Sequence, residues 1–331
     1  MKRALLAFGA LAIGVAVVAA APNSYRHHAQ AAAQPAMLDG QLAALRSGIA
    51  RYADFEVARR EGWKKFGGMR SGEGPLMGEH WLLPKERGGV DYQHGQPIDF
   101  SRPSNLIYAE IGGRRQLIGV TFNVRLADGE QVPEGFAGSA DKWHVHDFPR
   151  AIAAATETRP FVRWLADTFA PDEFTRPGTG RGRVAMIHVW PTLPNPDGPF
   201  ADKHRLLPYL KLRLPAEYAD GASVQAAKGL HLATQRGCAD TIDGALWIAA
   251  APKDTSKRLH ASCAAAAEHV KQGLASGRKD EINRMAEHSW AMFASAWSKA
   301  LTPQQQARIA AITEHGDAGP MSHEHGGEHA H

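Results

Sequence analysis

Near Pro215 the spacing of the apolar residues changes from two to between three and four, and this change limits the fold more than any other feature of the chain. Upstream, Leu106 to Ile111 and Arg114 to Leu126 flank Gly112-Gly113, and in the second arm Ile118, Val120, Phe122 and Val124 alternate with smaller or polar residues. Alternation places one set of side chains on the core face of a strand, and a glycine pair supplies the positive φ angles that a two-residue hairpin turn needs. Another strand is expected at Arg183 to Trp190, approached through Gly178-Thr179-Gly180-Arg181-Gly182. That turn is no phosphate loop, because no Lys-Ser or Lys-Thr pair follows it and a strand, not a helix, comes next. Downstream, three stripes have helical period: Ile242, Leu246, Ala249; then Leu259, Cys263, Ala267, Val270, Leu274; then Ile282, Met285, Ser289, Phe293, Trp297. Thr302-Pro303-Gln304-Gln305 carries the capping order that opens a last helix. The expected class is α+β, a small antiparallel sheet with flanking helices followed by an all-α helical bundle.

The ends of the chain differ from its middle. Lys2 and Arg3 precede an apolar run that closes on small residues at Ala21, the order of a secretory signal peptide, so residues 1–21 are read as a signal and the mature protein as periplasmic or secreted. An uncleaved signal anchor would be its sole membrane contact. Residues 22–36, which include His27-His28, are polar and alanine-rich and are expected to be a disordered linker. From Met37, the stripe Leu38, Leu42, Leu45, Ile49 and Tyr52 predicts a helix to about Phe66, stopped by Gly67-Gly68. The Gly- and Pro-rich segment from Gly72 to Pro97 reads as a loop carrying His80, and a helix over Ala151 to Phe169 is expected to be interrupted at Pro160. The division that follows is an α+β unit at 37–214 with the candidate metal site, a helical unit at 215–314 and a disordered histidine-rich tail at 315–331.

Cys238 and Cys263 are the only cysteines, and in an exported chain a single pair predicts one disulfide. Closing a loop of this length stabilises by about 3 to 4 kcal/mol in the chain-entropy model. Net charge is +4, or +2 once the charges of Lys2 and Arg3 are subtracted, which leaves no electrostatic basis for binding nucleic acid.

Chemistry concentrates in Trp143-His144-Val145-His146-Asp147. In a strand, residues i and i+2 share a face, so two imidazoles aim at one point. His80, in Met77-Gly78-Glu79-His80-Trp81, and His188, in Met186-Ile187-His188-Val189-Trp190, have similar apolar, tryptophan-flanked surroundings. Together His80, His144, His146 and His188 would supply the nitrogen set of one transition metal, with copper or zinc favoured and iron or nickel as further candidates; calcium or magnesium would want oxygens. Glu79, Asp141 and Asp147 are candidate acceptors for the outer ring nitrogens, which would fix the imidazole tautomers.

The function expected is therefore metal binding, in copper or zinc handling. One alternative is a metal-dependent enzyme with an open coordination position and Glu79 as general base. Another is a structural or interaction protein whose histidines are incidental. Two further groupings have plainer readings: Cys263 with His260 and His269 is claimed by the disulfide, and Met285 and Met292 with His288 read as core packing. In the tail, His323, His325, His329 and His331 are expected to gather metal only loosely.

Five stretches, in order, carry a wider likeness: Met77-Gly78-Glu79-His80-Trp81, Arg102-Pro103-Ser104-Asn105-Leu106-Ile107-Tyr108, Leu117-Ile118-Gly119-Val120, His188-Val189-Trp190 and Asn195-Pro196-Asp197-Gly198-Pro199-Phe200-Ala201. In them the chain resembles a family of exported bacterial proteins of unassigned activity. The resemblance spans about residues 50 to 210 and implies that the four histidines belong to one unit, without a catalytic role for any of them. Gly138, five residues and His144-x-His146 also look like the opening of a cupin motif, but the glutamate expected after His146 and the later motif are missing.

Overall fold

The computed structural model describes residues 24–65, 76–127, 129–147, 153, 156–169 and 183–312. Residues 1–21, Gly67-Gly68 and the histidine tail lie outside the described residues. Helix α1 (Ser24–Ile49) begins within the stretch 22–36 that was expected to be disordered, and it contains Pro35. Alanine is the strongest helix former, and Ala29 and Ala31 to Ala33 carry the chain into the helix. The helix does not reach Phe66. A 3-10 turn at Ala50–Ala53 ends it, and Asp54 restarts α2 (Phe55–Glu61) by accepting from the Glu56 N–H at 3.0 Å. Gly62, at φ 95°, closes α2 in the left-handed conformation that glycine tolerates.

The strands are β1 (Lys64–Lys65), β2 (Glu79–Leu82), β3 (Tyr92–Gln93), β4 (Asn105–Ile111), β5 (Arg114–Leu126), β6 (His144–Asp147) and β7 (Arg183–Val189). They form one sheet in the order β1-β2-β4-β5-β7-β6, antiparallel throughout except that β3 runs parallel to the end of β5. His80 therefore sits on a strand, not in the expected loop, because Glu79 to Leu82 pair along β4. The β4–β5 turn is the glycine pair, with φ 61° at Gly112 and 77° at Gly113. A register shift at Ile107/Tyr108 changes one expected core position: Leu117 joins Val120, Phe122 and Val124 on the core face, and Ile118 turns to the opposite side with Ile107 and Trp190.

The core face packs against the first helices. Leu42, Leu45 and Ile49 of α1, with Tyr52, Ala58 and Trp63, meet Leu106, Val120, Phe122, Val124, Ile187 and Val189 in one buried cluster. Burial of that face is the main force holding the sheet.

Helix α3 (Pro160–Phe169) starts at the proline expected to interrupt it, since a first-turn proline gives up no hydrogen bond the helix would make. Then come α4 (Leu207–Lys211), α5 (Val224–Leu232), α6 (Gly237–Ile248), α7 (Lys253–Leu274), α8 (Lys279–Ala300) and α9 (Pro303–Ile312). The expected stripes pack together through Ile242, Leu246, Leu259, Cys263, Phe293 and Trp297. The Cys238–Cys263 disulfide staples α6 to α7. Thr302 and Gln305 cap α9 reciprocally, at 2.9 and 3.2 Å. Between the sheet and the bundle, α4 belongs to both cores: Leu207 packs with Ile107, Ile118 and Trp190, and Tyr209 with Ala226, Leu230 and Ile282. Among the described residues no helix is long and apolar enough to cross a membrane.

Candidate metal centre

Register brings the histidines together. In an antiparallel ladder, directly opposed residues project to the same face. His144 lies opposite Met186 and His146 opposite Val184, so both share the face of His188, which is two residues beyond Met186 on β7. His188 in turn opposes Thr121, Thr121 opposes Asn105, and Asn105 opposes Leu82, two residues from His80. Three strands spanning more than a hundred residues of chain thus deliver four imidazoles to one side of one sheet.

The rings form a continuous chain of contacts. His80 Nε2 lies 3.1 Å from His188 Nε2, and His144 Nε2 lies 3.1 Å from His146 Nε2. His144 and His188 join the two pairs by stacking, with centroids 5.1 Å apart and planes 13° from parallel. Trp190 backs the array, stacked on His188 at 5.8 Å. His188 and His144 are buried, at 0% and 5% exposure, while His80 and His146 are half-buried. Burial, with the neighbouring rings adding to it, depresses the His80 pKa to about 4 and the His146 pKa to about 3, and holds His188 well below the ordinary value. At neutral pH His80, His146 and His188 are therefore uncharged, the state in which a ring nitrogen can bind a metal.

Asp202 completes the cluster, and it was not foreseen. Its carboxylate Oδ1 stands 3.6 Å from His144 Nδ1, and the ligand atoms of His144, His188 and Asp202 lie within 4.8 Å of one another. These three residues form a buried group that could hold a metal ion. Asp202 is set by the turn before it. The Asp197 N–H donates to Asn195 Oδ1 at 3.1 Å, Gly198 takes φ 97°, Asn195 Nδ2 donates to the Lys203 carbonyl at 2.7 Å, and Trp190 Nε1 donates to the Ala201 carbonyl at 2.6 Å. The tryptophan that stacks on His188 thus also ties down the residue preceding Asp202. The sequence signal was the Asn-Pro-x-Gly-x-Phe-Ala stretch, which Asp202 directly follows.

The three carboxylates named from sequence are elsewhere. Glu79 precedes His80 on β2, so strand alternation sends it to the other face, where it binds Lys65 at 3.1 Å, Arg115 at 3.2 Å and Trp81 Nε1 at 3.2 Å. It cannot serve as a base beside the rings. Asp147 follows His146 and is turned away for the same reason. Asp141 accepts from the Phe136 N–H at 2.7 Å, and burial raises its pKa to about 6; it braces its own loop. Of the other groupings, His260 pairs with Asp243 at 2.9 Å, His269 with Ser289 Oγ at 2.8 Å, and Met292 is exposed rather than core. No family model, no curated protein and no solved structure matches this chain.

Proposed function

We propose that this protein binds one transition metal ion through Nε2 of His80, His144, His146 and His188, with Asp202 orienting the inner rings from behind. The observation that carries this reading is a set of buried polar atoms without hydrogen bonds: His144 Nδ1, His188 Nδ1 and Asp202 Oδ1. Such atoms are rare unless an ion or water satisfies them. Either neutral tautomer of His188 leaves its Nδ1 unsatisfied. A cation on the Nε2 side would fix the proton of each inner ring on Nδ1, and for His144 that nitrogen stands 3.6 Å from the Asp202 carboxylate. Within each ring pair the spacing agrees: two nitrogens bound tetrahedrally at 2.0–2.1 Å lie about 3.3–3.4 Å apart, close to the 3.1 Å of both pairs. Between the pairs the stacked rings of His144 and His188 have centroids 5.1 Å apart, so loading the site requires the pairs to close on the ion.

An all-imidazole set suits copper or zinc, and the role proposed is handling of one of these metals outside the cytoplasm. Export rests on the leader-like order of residues 1–21, and the disulfide is in keeping with it. The test is metal analysis of the full chain with His323, His325, His329 and His331 replaced by serine, so that the tail contributes nothing. About one equivalent of zinc or copper is expected to survive dialysis, and none after His144→Ala with His188→Ala. Retention below about 0.2 equivalents by the tail-silenced protein would leave the histidines incidental.

A further inference from the structure

The face that carries the histidines also carries a cavity of about 350 Å³, with His80 in the wall between them. That volume falls within the range of small-ligand sites. Its floor is built from polar residues where the opposite face of the same strands is apolar. Asn105 Nδ2 donates to Thr121 Oγ1 at 2.6 Å, and Thr121 Oγ1 donates to Asn123 Oδ1 at 3.1 Å. This chain uses the donor end of one amide and the acceptor end of the other. Asn105 Oδ1 and Asn123 Nδ2 are left with no hydrogen-bond partner among the described residues, one acceptor and one donor held in place from below.

The remaining walls define what could enter. Leu82, Pro84, Val90 and Met186 make the sides apolar. At the rim Arg125 is paired with Asp91 at 2.5 Å and Lys85 reaches the same carboxylate at 3.7 Å; Glu86 also lines the cavity, so the two cations at the mouth are matched in number by two carboxylates. A charged ligand would give up its hydration without a counter-charge to replace it, which costs more than a neutral hydrogen-bonding group loses.

We propose that the cavity receives a small uncharged organic molecule presenting an N–H or O–H beside a carbonyl, as amides and hydroxycarbonyl compounds do. Its polar edge is read by Asn105 Oδ1 and Asn123 Nδ2, and its far end faces His80. The proposal deepens the metal reading and rests on it for one point only, that the far end approaches a metal; recognition by the two amides stands apart from it.

The experiment uses the full chain, with and without bound zinc, and three probes of one shape: benzamide, benzoate and benzylamine, followed by ligand-observed NMR titration. Benzamide is expected to bind saturably, at least about tenfold tighter than the two ions. Asn123→Leu, and separately Val90→Trp to fill the cavity from the far side, should each weaken benzamide at least about tenfold. Zinc content, measured on the same samples, should stay unchanged in both variants. Failure of benzamide to bind, equal binding of all three probes, or unchanged affinity in Asn123→Leu of native circular dichroism would each overturn the proposal. Loss of benzamide selectivity with zinc retained sinks the cavity assignment alone; absence of zinc with selectivity intact sinks the metal reading and leaves the cavity.

Discussion

The two faces of the sheet are made from the same strands and do opposite things. Toward α1 and α2, positions such as Leu106, Phe122, Val124 and Ile187 are fully buried and apolar. Toward the other side, their immediate neighbours Asn105, Thr121, Asn123, Met186 and His188 are mostly polar, and several are as deeply buried. One face holds the fold together. The other leaves buried polar atoms unsatisfied, a cost that a site bears and a core does not.

The largest effect that would break this comparison is on stability. Phe122→Ala should destabilise by about 3–5 kcal/mol, as expected for emptying a packed aromatic site, whereas Thr121→Val one residue away should cost only about 1–3 kcal/mol. Denaturant unfolding of both variants decides it; equal losses would mean that the two faces contribute alike.

Metal affinity should show the reverse order. His188→Ala is expected to weaken zinc binding by more than about 100-fold, beyond the range for groups that act only through a ligand, and Phe122→Ala should leave the affinity of its folded fraction unaltered. Competition against a chromophoric chelator gives both numbers. Next in size comes Asp202→Asn, which should weaken binding about 10- to 100-fold. Glu79→Gln serves as its control: it removes the charge of two partly exposed ion pairs, to Lys65 and Arg115, on the far face and should change zinc affinity less than about twofold. Were the control to match Asp202→Asn, the assignment of faces would be wrong.

The smallest effect lies outside the sheet and tests whether polar burial carries the same cost there. His231 of α5 is buried with its Nε2 unpartnered, and burial, helped by the charge of Lys211, lowers its pKa to about 3. Its unfolded value is near 6.5, so below that pH the unfolded chain takes up the proton first. The contribution of His231 is then full above about pH 6.5 and falls as pH drops toward 3, by at most about 1.4 kcal/mol per unit. His80, His146 and His188 add to the same fall in the native chain, so thermal melts at pH 7, 6 and 5 should show a slope in His231→Leu that is shallower by no more than this amount.

Much of the local structure could be read from residue spacing. The glycine turn at Gly112-Gly113, the strands of His144 and His188, the helical stripes and the cysteine pair all rest on short-range pattern, which neighbours along the chain settle. Where reading failed, a competing local signal or a distant partner was responsible. Glycine and proline around His80 obscured a four-residue strand whose existence depends on pairing with β4. Had that strand been recognised, alternation alone would have turned Glu79 away from the rings. Asp54 divided one expected helix into two, a capping signal masked by the apolar stripe that runs through it. Asp202 had no periodic context, and only its place after a tight turn marked it.

By itself, then, the order of residues determined the hairpin at Gly112-Gly113, the strands of His144 and His188, the helical stripes after Pro215 and which histidines have matching surroundings, because backbone sterics and the period of apolar burial act within a few residues. Only the tertiary structure decided that His80 meets His188 across 108 residues, that Asp202 stands behind His144, and that a cavity opens beside them. The physical reason is register. Strand order and the slip at Ile107/Tyr108 determine which faces coincide, and these follow from the packing of the whole sheet against its helices rather than from any one stretch of chain.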